Sequence, residues 1–147
     1  MKITPKFGID KLVFGMKQAD VEALLGTPDK KFQDEEENTI YAYNKEKCRL
    51  SFYADEDFRL GFIITSNEEA TLNDLKVIGL SPKDVKQQQE AKGIKGWEVD
   101  NYDVTDTHFN EDNWIVLHSE YNIVTKLELG ATFNAQDEFD FKFPKKK

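Results

Sequence analysis

The side chains that could do chemistry in this 147-residue chain are few in kind: one cysteine, Cys48, and two histidines, His108 and His118. Zinc needs several ligands held together. The two histidines fall on predicted strands that could be neighbours across a hairpin, but Cys48 lies in another part of the chain, so no metal site is expected. Cys48 alternates with Leu50 and Phe52, which is the pattern of a buried apolar position and not of an activated nucleophile. No Gly-x-x-x-x-Gly-Lys, Gly-x-Gly-x-x-Gly or Gly-x-Ser-x-Gly occurs. Gly93-Ile94-Lys95-Gly96 has the outline of a backbone-clamping loop, but it follows a helix and reads as a turn. Asp and Glu number 28, yet none stands in a framework that suggests general acid–base work. Neither an enzyme nor a cofactor is expected.

The chemistry that remains is recognition. Thr39 to Tyr43, Cys48 to Ala54 and Phe58 to Thr65 are alternating or β-branched runs with short charged connections, the signature of an antiparallel meander. Alternate connections of a meander lie at the same end of the sheet. Asp34, Glu35, Glu36 and Glu37 precede the first strand, and Asp55, Glu56 and Asp57 join the second to the third, so these seven carboxylates are expected along one rim. Period-two alternation puts Cys48, Leu50 and Phe52 on one face and Arg49, Ser51 and Tyr53 on the other. Tyr41 and Tyr43 are assigned to the face opposite Ile40, Leu50 and Phe52. If that apolar face meets a helix, Tyr41, Tyr43, Tyr53 and Arg49 line the open face beside the acidic rim. Tyrosine and arginine are favoured in protein-binding surfaces.

The elements that must position these groups are legible from their ends. Gly15 to Gly26 reads as a helix with Val21, Leu24 and Leu25 on one face, closed by Gly26 and Pro28. Ser81-Pro82-Lys83-Asp84 reads as a second helix start, with Ser81 as N-cap, Pro82 at the first helical position and Asp84 in the first turn. Gly79 to Val85 lies 64 positions after Gly15 to Val21, with Gly, an apolar residue and Asp-Val at matching places. Thr39 to Glu46 aligns with Thr105 to Asp112 at an offset of 66. The second helix carries Gln87-Gln88-Gln89 in its middle and has largely lost an apolar face. The expectation is an α+β fold: one domain of two tandem repeats of a helix plus an antiparallel β-meander, packed side by side. Repeat 1 covers about 9–66, repeat 2 about 74–133, and 134–147 form a C-terminal arm. Phe139, Phe141 and Phe143 in that arm suggest an edge strand or an arm packed on the core, and Lys145 to Lys147 are expected to fray.

Composition bounds the partners. The formal net charge is −8, which disfavours nucleic acid and anionic membrane surfaces and suits solubility or a basic protein partner. Eighteen aromatic residues, eleven Phe, five Tyr and two Trp, argue for a packed core. There is no apolar run long enough for a membrane span. A single cysteine and no apolar leader make a cytoplasmic protein the simplest reading, with an envelope location open if a signal peptide has been removed.

Gly15, Met16, Asp20, Val21, Leu24, Leu25, Gly26 and Pro28, followed by the meander, resemble the small outer-membrane lipoprotein of the β-barrel assembly machinery. Two such units in tandem resemble the β-lactamase-inhibitor-protein architecture, in which helix-plus-sheet repeats form a concave protein-binding surface. The resemblance covers about residues 9 to 133. It lacks a lipidated cysteine near the start, the inhibitors' disulfides and the second Leu-Gly-x-Pro. Taken with the chain's size, acidity and cytoplasmic character, this layout leads to the expectation of a non-enzymatic protein-binding module, in its most concrete form an inhibitor or immunity-type protein masking a basic site. The alternatives are an envelope scaffold like the assembly lipoprotein, or a small-ligand binder using a groove between repeats lined by Trp97, Tyr102 and Trp114.

Overall fold

A computed structural model describes residues 1–144; Lys145 to Lys147, for which fraying is expected, lie outside the described residues. In chain order the elements are β1 (Lys2–Thr4), β2 (Gly8–Ile9), β3 (Leu12–Val13), α1 (Gln18–Leu25), β4 (Lys30–Gln33), β5 (Thr39–Tyr43), β6 (Cys48–Tyr53) and β7 (Arg59–Thr65). Then come β8 (Thr71–Leu72), β9 (Leu75–Lys76), α2 (Pro82–Glu90), β10 (Trp97–Tyr102), β11 (Thr105–Asn110), β12 (Ile115–Glu120) and β13 (Ile123–Gly130).

The three strands of the expected meander form where their alternation placed them, but the fold class differs. The chain is mostly β. Eight strands join in one antiparallel sheet of order β10-β11-β12-β13-β7-β6-β5-β4, and five short ones in a second of order β3-β2-β1-β8-β9. The helices are only eight and nine residues long. This overturns the α+β reading of tandem helix-plus-meander repeats packed side by side. β7 and β13 pair directly, Leu127 with Thr65 through Gly130 with Phe62, so the large sheet runs unbroken. The segments before each helix are strands of the second sheet, which includes a parallel pairing of β1 with β8. Most of its members are two residues long, too short to show any periodicity in sequence.

Side chains at alternate positions of the large sheet bury its inner face. Leu50, Phe52, Leu60, Ile63, Ile115, Leu117, Leu127 and Leu129 lose all solvent contact there. Each such burial stabilises the fold by roughly 1.5–3 kcal/mol. The same apolar cluster takes in Ile3, Ile9, Leu12 and Leu72 of the small sheet and Val21 and Val85 of the two helices.

The helices keep their caps but not the expected faces. Ser81 Oγ accepts the Asp84 amide at 3.2 Å, with Pro82 opening α2. In α1 only Val21 is buried, while Leu24 is 43% exposed. In α2 Gln89 is wholly buried, which the glutamine run does not suggest. Its side chain donates to Leu72 O at 2.9 Å and accepts from Asn73 Nδ2 at 2.8 Å, so nothing polar is stranded. The arm leaves β13 through a bridge between Phe133 and Phe139 and packs on the core through Phe139, Phe141 and Phe143.

Candidate functional site

The acidic rim forms as the meander rule requires. Gln33 pairs with Thr39 across the β4–β5 hairpin, and Tyr53 pairs with Arg59 across the β6–β7 hairpin. Both turns therefore leave the same end of the sheet. They are tied together, since Asn38 Oδ1 accepts the Ala54 amide at 2.9 Å. Asp34 organises the first turn. Its Oδ1 accepts the amides of Glu36 and Asn38 at 2.9 Å each, and its Oδ2 accepts Asn38 Nδ2 at 3.1 Å. Desolvation opposes ionisation here, but the hydrogen bonds from Asn38 and Glu36 outweigh it and hold the Asp34 carboxyl below its ordinary value. Asp34, Glu35, Glu36, Glu37, Asp55 and Asp57 are exposed and Glu56 is half-buried. Lys17 Nζ lies 2.5 Å from Asp57 Oδ2 and also donates to Asp57 O at 2.8 Å. The other six carboxylates make no ion pair among the described residues.

The tyrosines do not share one face. Tyr41 is opposite Leu50 and Tyr43 opposite Cys48 in the β5–β6 pairing, so both point inward with the core. They are 1% and 2% exposed. The Tyr41 hydroxyl lies 2.9 Å from both Gln18 Oε1 and Glu22 Oε2, and the Tyr43 hydroxyl donates to Gly26 O at 2.9 Å. Burial first, then the Glu22 carboxylate, raises the pKa of each, that of Tyr43 to about 12. The expected open face with Tyr41 and Tyr43 on it is thus corrected: these residues hold α1 to the sheet. The outward residues of the pairing are instead Ile40 with Ser51 and Ala42 with Arg49.

Tyr53 and Arg49 do face outward, at opposite ends of β6. Three residues of strand lie between them, a separation of about 13 Å. Tyr53 belongs to the rim: burial, then the charges of Glu36 and Asp34, push its hydroxyl up to about 12. Arg49 lies at the far end, away from the carboxylates.

Around Tyr53 the outer face carries an aromatic stripe that the strand alternation alone does not announce. The Tyr53 ring rides over Gly61, where a Cβ would come within 2.3 Å of it. Trp114 rides over Gly130 in the same way, a Cβ there falling 2.1 Å from the indole. Only a residue without a side chain admits a ring this close to the backbone. The stripe continues from Tyr53 to Phe139 (ring centroids 5.4 Å apart), Phe133 (4.6 Å), Trp114 (6.4 Å) and Phe109 (5.0 Å). Phe133 is 51% exposed at its centre. Phe141 stacks on Phe139 and lies 4.5 Å from the Arg59 guanidinium, whose Nη2 donates to Phe143 O at 2.8 Å. The signals that could have revealed the stripe were the Phe139-Phe141-Phe143 alternation and the two glycines inside strands.

No family model matches this chain, and no curated protein does. Among solved structures it is similar to an extracellular protein containing an SCP domain from Bacillus anthracis str. Ames. The TM-score is 0.54 at 11% identity, over 79% of this chain and 43% of that one. It is also similar to a DUF4309 family protein from Bacillus subtilis subsp. subtilis str. 168, with a TM-score of 0.50 at 17% identity, over 86% of this chain and 82% of that one. The chain thus spans less than half the length of the first of these. At such identities the likeness is one of fold.

The remaining candidates fall into place individually. Cys48 is 4% exposed, and burial pushes its thiol up to about 11, in keeping with an inert apolar position. His108 faces the core opposite Leu117, while His118 faces outward opposite Thr107, so the two are not neighbours. His118 Nε2 is 3.2 Å from Glu128 Oε1. Trp97 packs on the core with its Nε1 donating to Ile94 O at 3.3 Å, on the face opposite Trp114, while Tyr102 is 58% exposed. A groove lined jointly by Trp97, Tyr102 and Trp114 therefore does not form. A different cavity of about 470 Å³ lies between β2, β3 and α1, walled by Met1, Ile9, Leu12, Leu24, Leu25 and Cys48 with Asp10, Lys11 and Glu46. Neither helix is long and apolar enough to cross a membrane.

Proposed function

We propose that this protein is a non-enzymatic protein-binding module whose acidic rim and adjoining aromatic stripe cover a basic site on a partner. The observation that carries this reading is the junction at Tyr53. It touches the aromatic stripe through Phe139 and lies within the electrostatic reach of Asp34 and Glu36. Binding surfaces commonly combine a desolvated aromatic centre with a charged border. Phe133 supplies the exposed ring and the tied hairpins supply the border. An inhibitor or immunity-type protein is the concrete form this takes, and the Tyr41 and Tyr43 hydroxyls serve it only by holding α1.

The test is kinetic. A basic partner captured at low salt is measured against the native chain and a rim variant carrying D34N, E35Q, E36Q, E37Q, D55N and E56Q. The association rate should fall at least about tenfold while dissociation changes little. Phe133→Ala should do the reverse and speed dissociation. An unchanged association rate in the rim variant would falsify the electrostatic part of the reading.

A second reading is supported by the cavity at Cys48, whose volume suits a small apolar ligand. Thermal shift against a metabolite panel separates the two: ligand stabilisation unaffected by the rim variant belongs to the cavity.

A further inference from the structure

At the end of the strands away from the rim, the outer face bears the opposite charge. Lys30, Lys47, Arg49 and Lys126 surround one open groove of about 550 Å³ floored by Ala42 and Ile64. All four cations are exposed. None makes an ion pair or side-chain hydrogen bond among the described residues, although the chain carries a formal charge of −8. Two carboxylates border it: Asp29, next to Lys30 in the chain, accepts the amide of Asn44 in the groove wall at 2.7 Å, and Glu128, opposite Ile64, lies 3.2 Å from His118 Nε2. Four like charges gathered on one groove, none of them in an ion pair among the described residues, repel one another until an anion arrives.

We propose that this groove binds an extended acidic peptide segment of a partner, laid across the strands. The register gives the spacing. Lys30 opposes Ala42, Ala42 opposes Arg49 and Arg49 opposes Ile64 along one row. Lys30 and Arg49 are thus two strands apart, roughly 10 Å. Lys126 lies two strands beyond Arg49, on β13, displaced toward the turn that carries Lys47. A peptide in the polyproline II conformation completes one turn in three residues and advances about 9 Å, so carboxylates at every third position lie on one face and meet successive cations. The small and apolar floor between them, Ala42 and Ile64, accommodates the intervening side chains. A dense phosphate polymer suits the groove less. Its charges are closer together than the cations, and it gains nothing from an apolar floor.

This surface is separate from the acidic rim, so the two readings fail independently. The probe is a fluorescent peptide of about twelve residues with Glu at every third position and Ala between, followed by anisotropy at about 20 mM and about 300 mM salt. Saturable binding at low salt, lost at high salt and weakened at least about tenfold by R49E and by K126E, is the expected result. Both residues are exposed, and circular dichroism confirms that the variants fold; D34N with E36Q, at the rim, should leave peptide binding unchanged or tighter. The proposal is overturned by no binding at low salt, by binding that survives both charge reversals, or by tighter binding of polyphosphate of equal charge, which would reassign the groove to phosphate polymers.

Discussion

His108 shows what a single side chain can contribute against the fold. It is 5% exposed, and neither ring nitrogen has a hydrogen-bond partner among the described residues. Burial first, then the nearby Lys86 ammonium, lowers its pKa from 6.5, with Asp106 opposing. A histidine with a depressed folded pKa stays neutral in the native state while the unfolded chain takes up its proton. Its stabilising contribution is therefore complete above about pH 6.5 and is lost as the pH falls toward the folded value. Urea denaturation at pH 7.5 and pH 5.5 should show lower stability at the acid end. His108→Leu should remove part of that difference and raise stability by about 1 kcal/mol, since it replaces an unsatisfied polar group with an apolar one. An unchanged pH profile in the variant would place the acid sensitivity elsewhere.

At the scale of elements, the outer face depends on two glycine–aromatic pairs, Tyr53 on Gly61 and Trp114 on Gly130. Each ring shields a strand where no side chain protects the backbone, and both belong to the aromatic stripe. Gly130→Val must expel the indole, since even a Cβ would lie 2.1 Å from it. We expect a loss of about 1–3 kcal/mol by denaturant titration, of the kind overpacking produces, together with a red shift of tryptophan emission. Loss of stability without a spectral change would mean that the strand yields instead of the ring. Gly61 and Gly130 interrupt otherwise good strand sequence, and a glycine inside a strand is a signal of close backbone approach. Which rings they accept depends on the bulge between Ser51 and Phe52 and on the course of the arm.

The whole molecule is organised by one seam and one charge separation. β7 and β13 join the strands contributed by the first and second halves of the chain, and the buried cluster passes without a break from Leu50 and Ile63 to Leu117 and Leu127. One core implies one cooperative transition. Amides of Ile63 and Leu127 should share the slowest hydrogen exchange, governed by global unfolding. Those of edge strand β10, where only Trp97 is even half-buried, should exchange at least about a hundredfold faster. Two separate slow groups with different free energies, one in each half, would contradict a single core. Along the strand direction the large sheet has carboxylates at one end and the Lys30–Lys126 groove at the other. A net charge conceals this polarity.

Local physical chemistry was legible in the chain itself: the Ser81-Pro82 cap, the alternation of Cys48, Leu50 and Phe52, the strands of the meander and the common rim of its acidic turns. Each depends on residues a few positions apart, where spacing and propensity decide. The faces of Tyr41 and Tyr43 were not legible, because all five residues of β5 are buried and alternation gives no inward side. The pairing of Tyr43 with Cys48 across the intervening turn decides it, and a shift of one residue would exchange the faces. The second sheet was invisible for a related reason: strands of two or three residues form only because β1 finds β8 some seventy residues away. Long-range pairing also decided the fold class, by joining β7 to β13 and leaving the helices as short caps on a structure that is mostly β.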